Sequence, residues 1–456
     1  MKIGINVGGY HSIGTGHTYR QLSLMEEQLD FEYFFYVNNS QNLACQLLEE
    51  NFINYRIFNN IEELFNLIKN DKIDIIINDF LDTNEDYIKN LKLNNLFVVN
   101  FEDRGSGIKY ADIVINDMYE NKLIENCMNI FNGFKYTCMR RDLKLYKPLK
   151  FKNICKNIII TFGGSDPQNF TKLVLDILIS NKIYENMKII VILGLGYKYD
   201  NNIYEYRKYN IIVLKNVQNM PIILQKADIG ITANGRTLFE FAHFGIPCIS
   251  LAQNDREKIH TFAKEDNGVI FLGERKDFTN NNLLISINKL INNHNYRKKL
   301  SENMKQANKI LQNSNENIWN LILRKYNFQN TDIILQCRLN SSRLPNKAIK
   351  TIINKKMIEH QIERLKRCKN INNIILCTST NIENNILINI ANEMDIKYFR
   401  GSEDNVLERF YQCAKKYKSK NIIRCTGDCP LIDPLLIDLL CENFVKKKNK
   451  SLKFQK

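Results

Sequence analysis

No apolar run in this chain approaches the ~18 residues a helix needs to cross a bilayer, and no CxxC pair occurs among its twelve cysteines. Nor does a tandem repeat of fixed period or a long low-complexity linker appear. The first absence excludes a helical membrane anchor within the sequence. The second removes the usual zinc and redox spacings, so scattered, reduced thiols are the expectation. The N-terminus, MKIGINV, reads directly as a strand without the basic head, apolar core and small-residue cleavage site of a secretion signal, and a cytoplasmic location is expected. A basic surface interleaved with aromatics is also missing. The net charge is +15, yet six of the lysines sit in the final KKKNKSLKFQK, and elsewhere basic residues mix with acids. Neither nucleic acid nor membrane is an expected partner.

What is present is an ordinary globular composition, 44% hydrophobic and 25% charged over 456 residues. At roughly 100 to 200 residues per domain, that length holds several domains. Short β-branched runs alternate with amphipathic stretches throughout, the rhythm of βαβ units and parallel sheets. The chain is therefore α/β. A first block, 1–147, shows strands at KIGINV, FEYFFYV, IDIIIN, LFVVNF and ADIVIN, with helices at HTYRQLSLMEEQL and IEELFNLIKN. A second, 148–328, shows NIIITF, KIIVILG, NIIVLK, ADIGIT, PCISLA and GVIFL, then three helical patterns around 279–293, 296–312 and 315–326, the last carrying the only tryptophan, Trp319. These helices are expected to brace the two sheets. A third block, 331–456, opens with DIILQCRLNSSRLPNK and continues with NIILCTS, IKYFRG and NIIRCTGD.

In open parallel sheets, ligands bind outside the carboxyl ends of the strands, and the first βα turn is the usual phosphate or sugar contact. GTGHTYR, 14–20, occupies that turn. Gly14 and Gly16 permit close ligand approach, and His17 falls at the helix start, where the positive dipole end disfavours imidazolium. On spacing alone His17 is either a base or a packed, capping histidine. Asp79 closes the strand IDIIIND, and Glu102 with Asp103 closes LFVVNFED. These acids hold sugar hydroxyls, orient the histidine, or cap loops.

GGYHSIGTGHTYRQLSL and NFEDRGSGIKYADIVIN resemble the UDP-sugar hydrolases of pseudaminic acid biosynthesis, relatives of the peptidoglycan N-acetylglucosaminyltransferase with its two-lobed GT-B fold. The resemblance implies a GT-B-like pair of Rossmann-type domains, and it implies that His17 activates water. TFGGSDPQNFT, 161–171, matches the GGSDP motif of that family. Gly163, Gly164 and Ser165 then contact a diphosphate, while Asp166 and Pro167 set the turn. ITANGRTLFEFAHFGIPCIS, 231–250, places Asn234 and Gly235 before a helix and Glu240 within it, where GT-B nucleotide-sugar families hold the ribose hydroxyls. The hydrolases commonly carry a small GGS-type stretch where this chain has NGRT; Arg236 clamps phosphate or lies in solvent. In AQNDREKIH, 252–260, Gln253 and Asn254 are candidate ligand contacts, and His260 reads as a packed or exposed helical residue.

In the third block, QCRLNSSRLPNK, 336–347, gathers Arg338, Arg343 and Lys347 on a turn, where arginines and a lysine grip a triphosphate or stay solvated. With FRGSEDNVLERF and IIRCTGDCPLIDP, 421–434, it resembles the sugar cytidylyltransferases of the spore-coat polysaccharide and CMP-nonulosonate types. That resemblance implies CTP as ligand and Mg²⁺ held by Asp428, flanked by Cys425 and Cys429 as ordinary buried cysteines. The block spans about 125 residues from Asp332, shorter than that family's domain, so a truncated and inactive nucleotidyltransferase is the expectation. Together these readings imply hydrolysis of a UDP-linked diacetamido-trideoxyhexose to free sugar and UDP without a cofactor, beside a CTP-dependent half. A GT-B glycosyltransferase and a non-catalytic nucleotide-sugar binder are the alternatives.

Overall fold

The computed structural model describes residues 1–9, 15–118, 129–199, 203–339 and 344–447. Two compact units divide the chain, Met1–Trp319 and Asn320–Lys456. The first unit holds two parallel sheets. Seven strands form the N-terminal one: β1 (Lys2–Val7), β2 (Glu32–Asn38), β3 (Tyr55–Phe58), β4 (Ile75–Asp79), β5 (Phe97–Phe101), β6 (Ile113–Asn116) and β7 (Ile130–Asn132). Their order is β3-β2-β1-β4-β5-β6-β7. Every residue of β4, β5 and β6 is buried, because helical crossovers cover both faces of a parallel sheet and leave it no wet side. The order reverses between β1 and β4, whose ends pair Val7 with Asp79. That switch point opens a crevice above the strand ends, and the helix Gly16–Glu26 starts there.

The second sheet repeats the plan with β8 (Asn157–Thr161), β9 (Lys188–Leu193), β10 (Ile212–Lys215), β11 (Ile229–Ala233), β12 (Cys248–Leu251) and β13 (Val269–Phe271) in the order β10-β9-β8-β11-β12-β13. Its switch point lies between β8 and β11, the two strands that feed the GGSDP and NGRT turns. The predicted C-terminal helices appear as Asn280–Asn292, His294–Leu311 and Ser314–Gln329. They brace the sheets as expected. Ser301 Oγ donates to Gly245 O at 2.6 Å, and the Trp319 indole N–H donates to Leu24 O at 2.8 Å while its ring meets Phe31 and Tyr33 edge-on. The chain thus returns from the second sheet to the first.

Strands β3 and β7 are the elements the pattern does not announce. Both close an end of the sheet; β3 exposes its two central residues and β7 buries none of its three fully, so neither carries an unbroken apolar run.

The second unit is a smaller parallel sheet of β14 (Thr331–Gln336), β17 (Asn373–Ser379), β18 (Lys397–Gly401) and β19 (Asn421–Thr426), ordered β18-β17-β14-β19, with a short antiparallel ribbon, β15 (Thr351–Ile352) and β16 (Lys355–Lys356), beside it. Its core gathers Ile333, Leu335, Ile358, Ile362, Leu376 and Leu387. Among the described residues no helix is long and apolar enough to cross a membrane.

Candidate active site

One helical turn organises the first-lobe site. His17, Arg20 and Gln21 lie at i, i+3 and i+4 of the helix Gly16–Glu26, so all three face the same way and converge on Asp79. His17 Nδ1 is 2.6 Å from Asp79 Oδ1. Arg20 Nε and Gln21 Nε2 donate to Asp79 Oδ2 at 2.7 and 2.6 Å, and Arg20 Nη2 closes a bidentate fork onto Oδ1. Burial works against the charged form of this fully enclosed carboxyl, but the Arg20 guanidinium and His17 outweigh it and hold Asp79 well below the usual carboxylate range. The Arg20 Nη2 also stands 3.0 Å from His17 Nδ1. Since Nδ1–H donates to Asp79, Arg20 acts on the ring as a nearby cation. The ring is therefore set by an anion and a cation together, in addition to the helix dipole that the sequence suggests.

Arg20 carries its other arm to Glu102 and lies 3.6 Å from Asp117. Glu102 adopts φ 52°, a left-handed backbone that a side chain rarely takes, and outlier residues of this kind gather at working sites. Burial again opposes its ionisation, yet Arg20, His17 and Arg236 bring its carboxyl down to about 2.

A cavity of about 540 Å³ separates the lobes. From the first lobe, Gly16, His17, Arg20 and Glu102 line it; Asp79 stands behind His17 without reaching the cavity. Asp103 does not line it either. Its carboxylate accepts from Thr83 N (3.0 Å), Thr83 Oγ1 (2.6 Å), Asn100 Nδ2 (2.6 Å) and Gly105 N (2.8 Å). This corrects the expectation of a ligand contact, because every strong acceptor direction of Asp103 is spent on stapling its own loop. Gly105 is required in that staple: a Cβ there would meet Thr83 O at 2.0 Å.

Across the cavity, Gly163, Gly164 and Ser165 line the wall. Gly163 has φ +73° and open space where a Cβ would stand, so a ligand can approach its backbone. Asp166 accepts from Phe170 N and Thr171 N, both at 2.9 Å, and so satisfies the first amides of the helix Phe170–Ser180 from the preceding turn. Gly235 and Glu240 also line the cavity; burial pushes the Glu240 carboxyl up, against the pull of Arg140. Asn254 lines it while its side chain caps the Asp255–Lys258 turn through Arg256 N and Glu257 N. Asn234 is fully buried and outside the lining, its Nδ2 donating to Glu257 O at 2.6 Å. It supports the wall from behind, which corrects its reading as a direct contact. Gln253 Nε2 donates to Phe162 O at 3.1 Å. Gly14 falls outside the described residues.

Arg236 is not in solvent. Its guanidinium crosses to the first lobe, 3.1 Å from Glu102 Oε1 and 2.9 Å from Asp117 Oδ2. Four residues that sequence reasoning passed over thus belong to the site: Arg20, Gln21, Asp117 and Glu257. The i, i+3, i+4 spacing after His17 was the signal available for the first two. Glu257 lines the cavity and makes no ion pair among the described residues; burial, with Asp166 adding to it, pushes its carboxyl up to about 7 against hydrogen bonds from Gln253 and Asn234. His260 is packed, as read, between Phe239 and Phe262, and burial pushes it down to about 3.

In the second unit, Lys347 Nζ is 3.2 Å from Asp428 Oδ2, and Arg338 Nη1 is 3.2 Å from Glu403 Oε1. A hydrogen bond from Thr426 and the Lys347 ammonium hold Asp428 below its ordinary value. Arg343 lies outside the described residues. Cys425 is buried, but Cys429 is exposed, a correction that follows from its place in the loop after β19. No group of three or more metal-binding side chains occurs among the described residues.

Two Rossmann-type parallel sheets sharing an interlobe cleft make the first unit GT-B-like. Residues 158–317 match the glycosyltransferase family 28 C-terminal domain, and residues 333–456 match a cytidylyltransferase family. The chain therefore joins a stretch similar to the glycosyltransferase family 28 C-terminal domain to one similar to a cytidylyltransferase. It is 35% identical over 278 residues to the uncharacterized protein MJ1062 of Methanocaldococcus jannaschii, covering 57% of each chain. It is also 24% identical to the spore coat polysaccharide biosynthesis protein SpsG of Bacillus subtilis, over 59% of this chain and 82% of SpsG. With SpsF of the same organism it shares 32% identity, over 24% of this chain and 47% of SpsF. The chain thus spans little more than half of MJ1062 and less than half of SpsF.

Proposed function

We propose that the first unit hydrolyses a UDP-linked diacetamido-trideoxyhexose to free sugar and UDP, a step toward a nonulosonic acid of the pseudaminic type. The observation that carries this reading is the His17–Asp79 pair at the β1/β4 switch point, with His17 on the cavity wall. Asp79 fixes the Nδ1–H tautomer, which leaves the Nε2 lone pair as a base. His17 Nε2 takes a proton from water; the water oxygen bonds to the anomeric carbon as the bond from that carbon to the phosphate oxygen breaks, and UDP departs with the electron pair. Backbone N–H groups at Gly163, Gly164 and Ser165 stabilise the charge gathering on the diphosphate, and Glu240 holds the ribose. No cofactor takes part in this scheme.

The second unit is proposed to bind CTP through Arg338, Arg343 and Lys347, with Asp428 as the carboxylate for Mg²⁺. A single ionised carboxylate suits that ion, which fills its remaining positions with phosphate oxygens and water; when bound, it neutralises nucleotide phosphate charge. The names of SpsF and SpsG support a place in polysaccharide synthesis, and a cytoplasmic location is proposed with it.

The family 28 match over residues 158–317 favours a second reading, a glycosyltransferase that uses the same cleft with an acceptor in place of water. Incubating the protein with candidate UDP-diacetamido sugars and identifying products by mass spectrometry separates the two. Free sugar and UDP without acceptor are expected. Release of UDP only when an acceptor is added overturns hydrolysis in favour of transfer, and binding without any turnover overturns both.

A further inference from the structure

We infer that Arg236 is a positioning residue for His17, acting from the opposite lobe through Glu102, Arg20 and Asp79; this rests on the reading of His17 as the base. Three carboxylates end three neighbouring strands of the first sheet: Asp79 at β4, Glu102 after β5 and Asp117 after β6. All three are buried, and among the described residues their own lobe brings the Arg20 guanidinium to each of them. A single fork satisfies one carboxylate bidentately and has little left for two more. Arg236 supplies the second cation, at 3.1 Å from Glu102 and 2.9 Å from Asp117. Neither Asp117 oxygen receives a hydrogen bond among the described residues, so the two guanidiniums reach it as ion pairs alone.

The path of Arg236 is built into the turn that carries His17. Its Cδ would stand 3.6 Å from a Cβ on Gly16, so the stem passes over the first turn of the His17 helix. Around the cluster, Cys138 O accepts from Arg236 Nη2 at 3.4 Å, the Cys138 thiol donates to Arg20 O at 3.2 Å, and Arg256 Nη1 donates to Glu102 O at 2.9 Å. His260 feels both Glu102 and Arg236. Among the described residues the cluster therefore holds three anions against two fixed cations, with the His17 ring beside them. Without Arg236, two buried carboxylates compete for Arg20, an arrangement that low-dielectric surroundings penalise. Arg20 is drawn from Asp79, and the acceptor that fixes the His17 tautomer loosens. The NGRT turn, which belongs to the nucleotide lobe, in this way sets the base in the other lobe.

Arg236→Gln tests this with three readouts: turnover, UDP affinity by calorimetry, and ¹⁵N chemical shifts of the His17 ring at fixed pH. Expected are a kcat lowered on the order of tenfold to a hundredfold, a UDP Kd within about threefold of the parent, and ring shifts that move from one tautomer to a mixture. Adding Asp117→Asn to Arg236→Gln restores the cluster's net charge and should recover both the ring signature and most of kcat. Arg236→Lys, which keeps the charge without the fork, serves if the glutamine variant fails to fold; its ring signature should be mixed and its kcat intermediate. Unchanged ring shifts overturn the inference, and so does a UDP affinity that collapses with kcat preserved, which makes Arg236 a phosphate contact. The ring signature needs no turnover, so failure of the hydrolase reading and failure of this link show separately.

Discussion

His17 Nδ1 lies 2.6 Å from Asp79 Oδ1, and Asp79 is the end residue of the strand that pairs with β1. The ring, on the helix that follows β1, and the carboxylate that ends β4 thus meet at the switch point, where an open sheet offers its ligand crevice. The sheet order alone brings them together.

Replacing His17 with Ala should abolish UDP-sugar hydrolysis while leaving UDP affinity nearly intact, because in the proposed mechanism the ring acts on water and not on the nucleotide. Asp79→Asn keeps the shape but favours the wrong ring tautomer, and a loss on the order of a hundredfold or more in kcat is expected. Steady-state kinetics and calorimetry with UDP check both variants. Turnover by His17→Ala equal to the parent removes the ring from the mechanism.

The central strands were legible because buried parallel strands are continuous apolar runs, and the two turns carrying GTGH and GGSDP were legible because glycine and the strand end mark them. Arg20 was legible in principle, one turn beyond His17. Arg236 and Asp117 were not, since their partnership joins residues from two sheets and no local spacing encodes it. Asp103 misled for a related reason: an acid at a strand end has the same local sequence whether it faces a ligand or, as here, the amides of the neighbouring loop.

Glu257 gives the cleft a pH dependence. Its carboxyl is pushed up to about 7 by burial, so it is neutral below that pH and anionic above it, on the same cavity as the proposed diphosphate wall. Affinity of the His17→Ala protein for a UDP-sugar, whose diphosphate does not titrate there, should fall as pH rises through about 7, and Glu257→Gln should flatten the profile. The linked stability has the same sign. The folded state binds this proton more tightly than the unfolded chain, so the contribution is complete below the ordinary carboxyl pKa and is lost as pH rises toward about 7. A parent profile that is already flat removes Glu257 from the binding surface.

Lys347 and Asp428 should report on the second unit independently of the first. Lys347→Ala removes the ammonium 3.2 Å from Asp428 and is expected to weaken CTP binding on the order of tenfold, since a charge-assisted phosphate contact contributes about 1.5–3 kcal/mol. Asp428→Asn should leave CTP binding in the absence of metal unchanged or stronger but remove the gain that Mg²⁺ brings. Calorimetry with and without Mg²⁺ separates the two effects, and UDP binding by the first unit is the internal control. Equal CTP affinity in all three proteins assigns the turn to solvent.

Asp103 separates a structural acid from a catalytic one. Asp103→Ala would leave the buried Thr83 N and the half-buried Gly105 N without their acceptor, and an unsatisfied buried donor costs about 1–3 kcal/mol. The loop also bears on the site, because Glu102 precedes Asp103 and holds its left-handed backbone where that loop begins. The melting temperature should therefore drop, while UDP affinity, read from the opposite wall, stays within about twofold. Thr83→Val, which removes only the hydroxyl contact at 2.6 Å and keeps the amide bonds, should show a smaller drop in the same direction. If Asp103→Ala instead melts like the parent and loses UDP-sugar affinity, the acid faces the ligand and the staple is incidental.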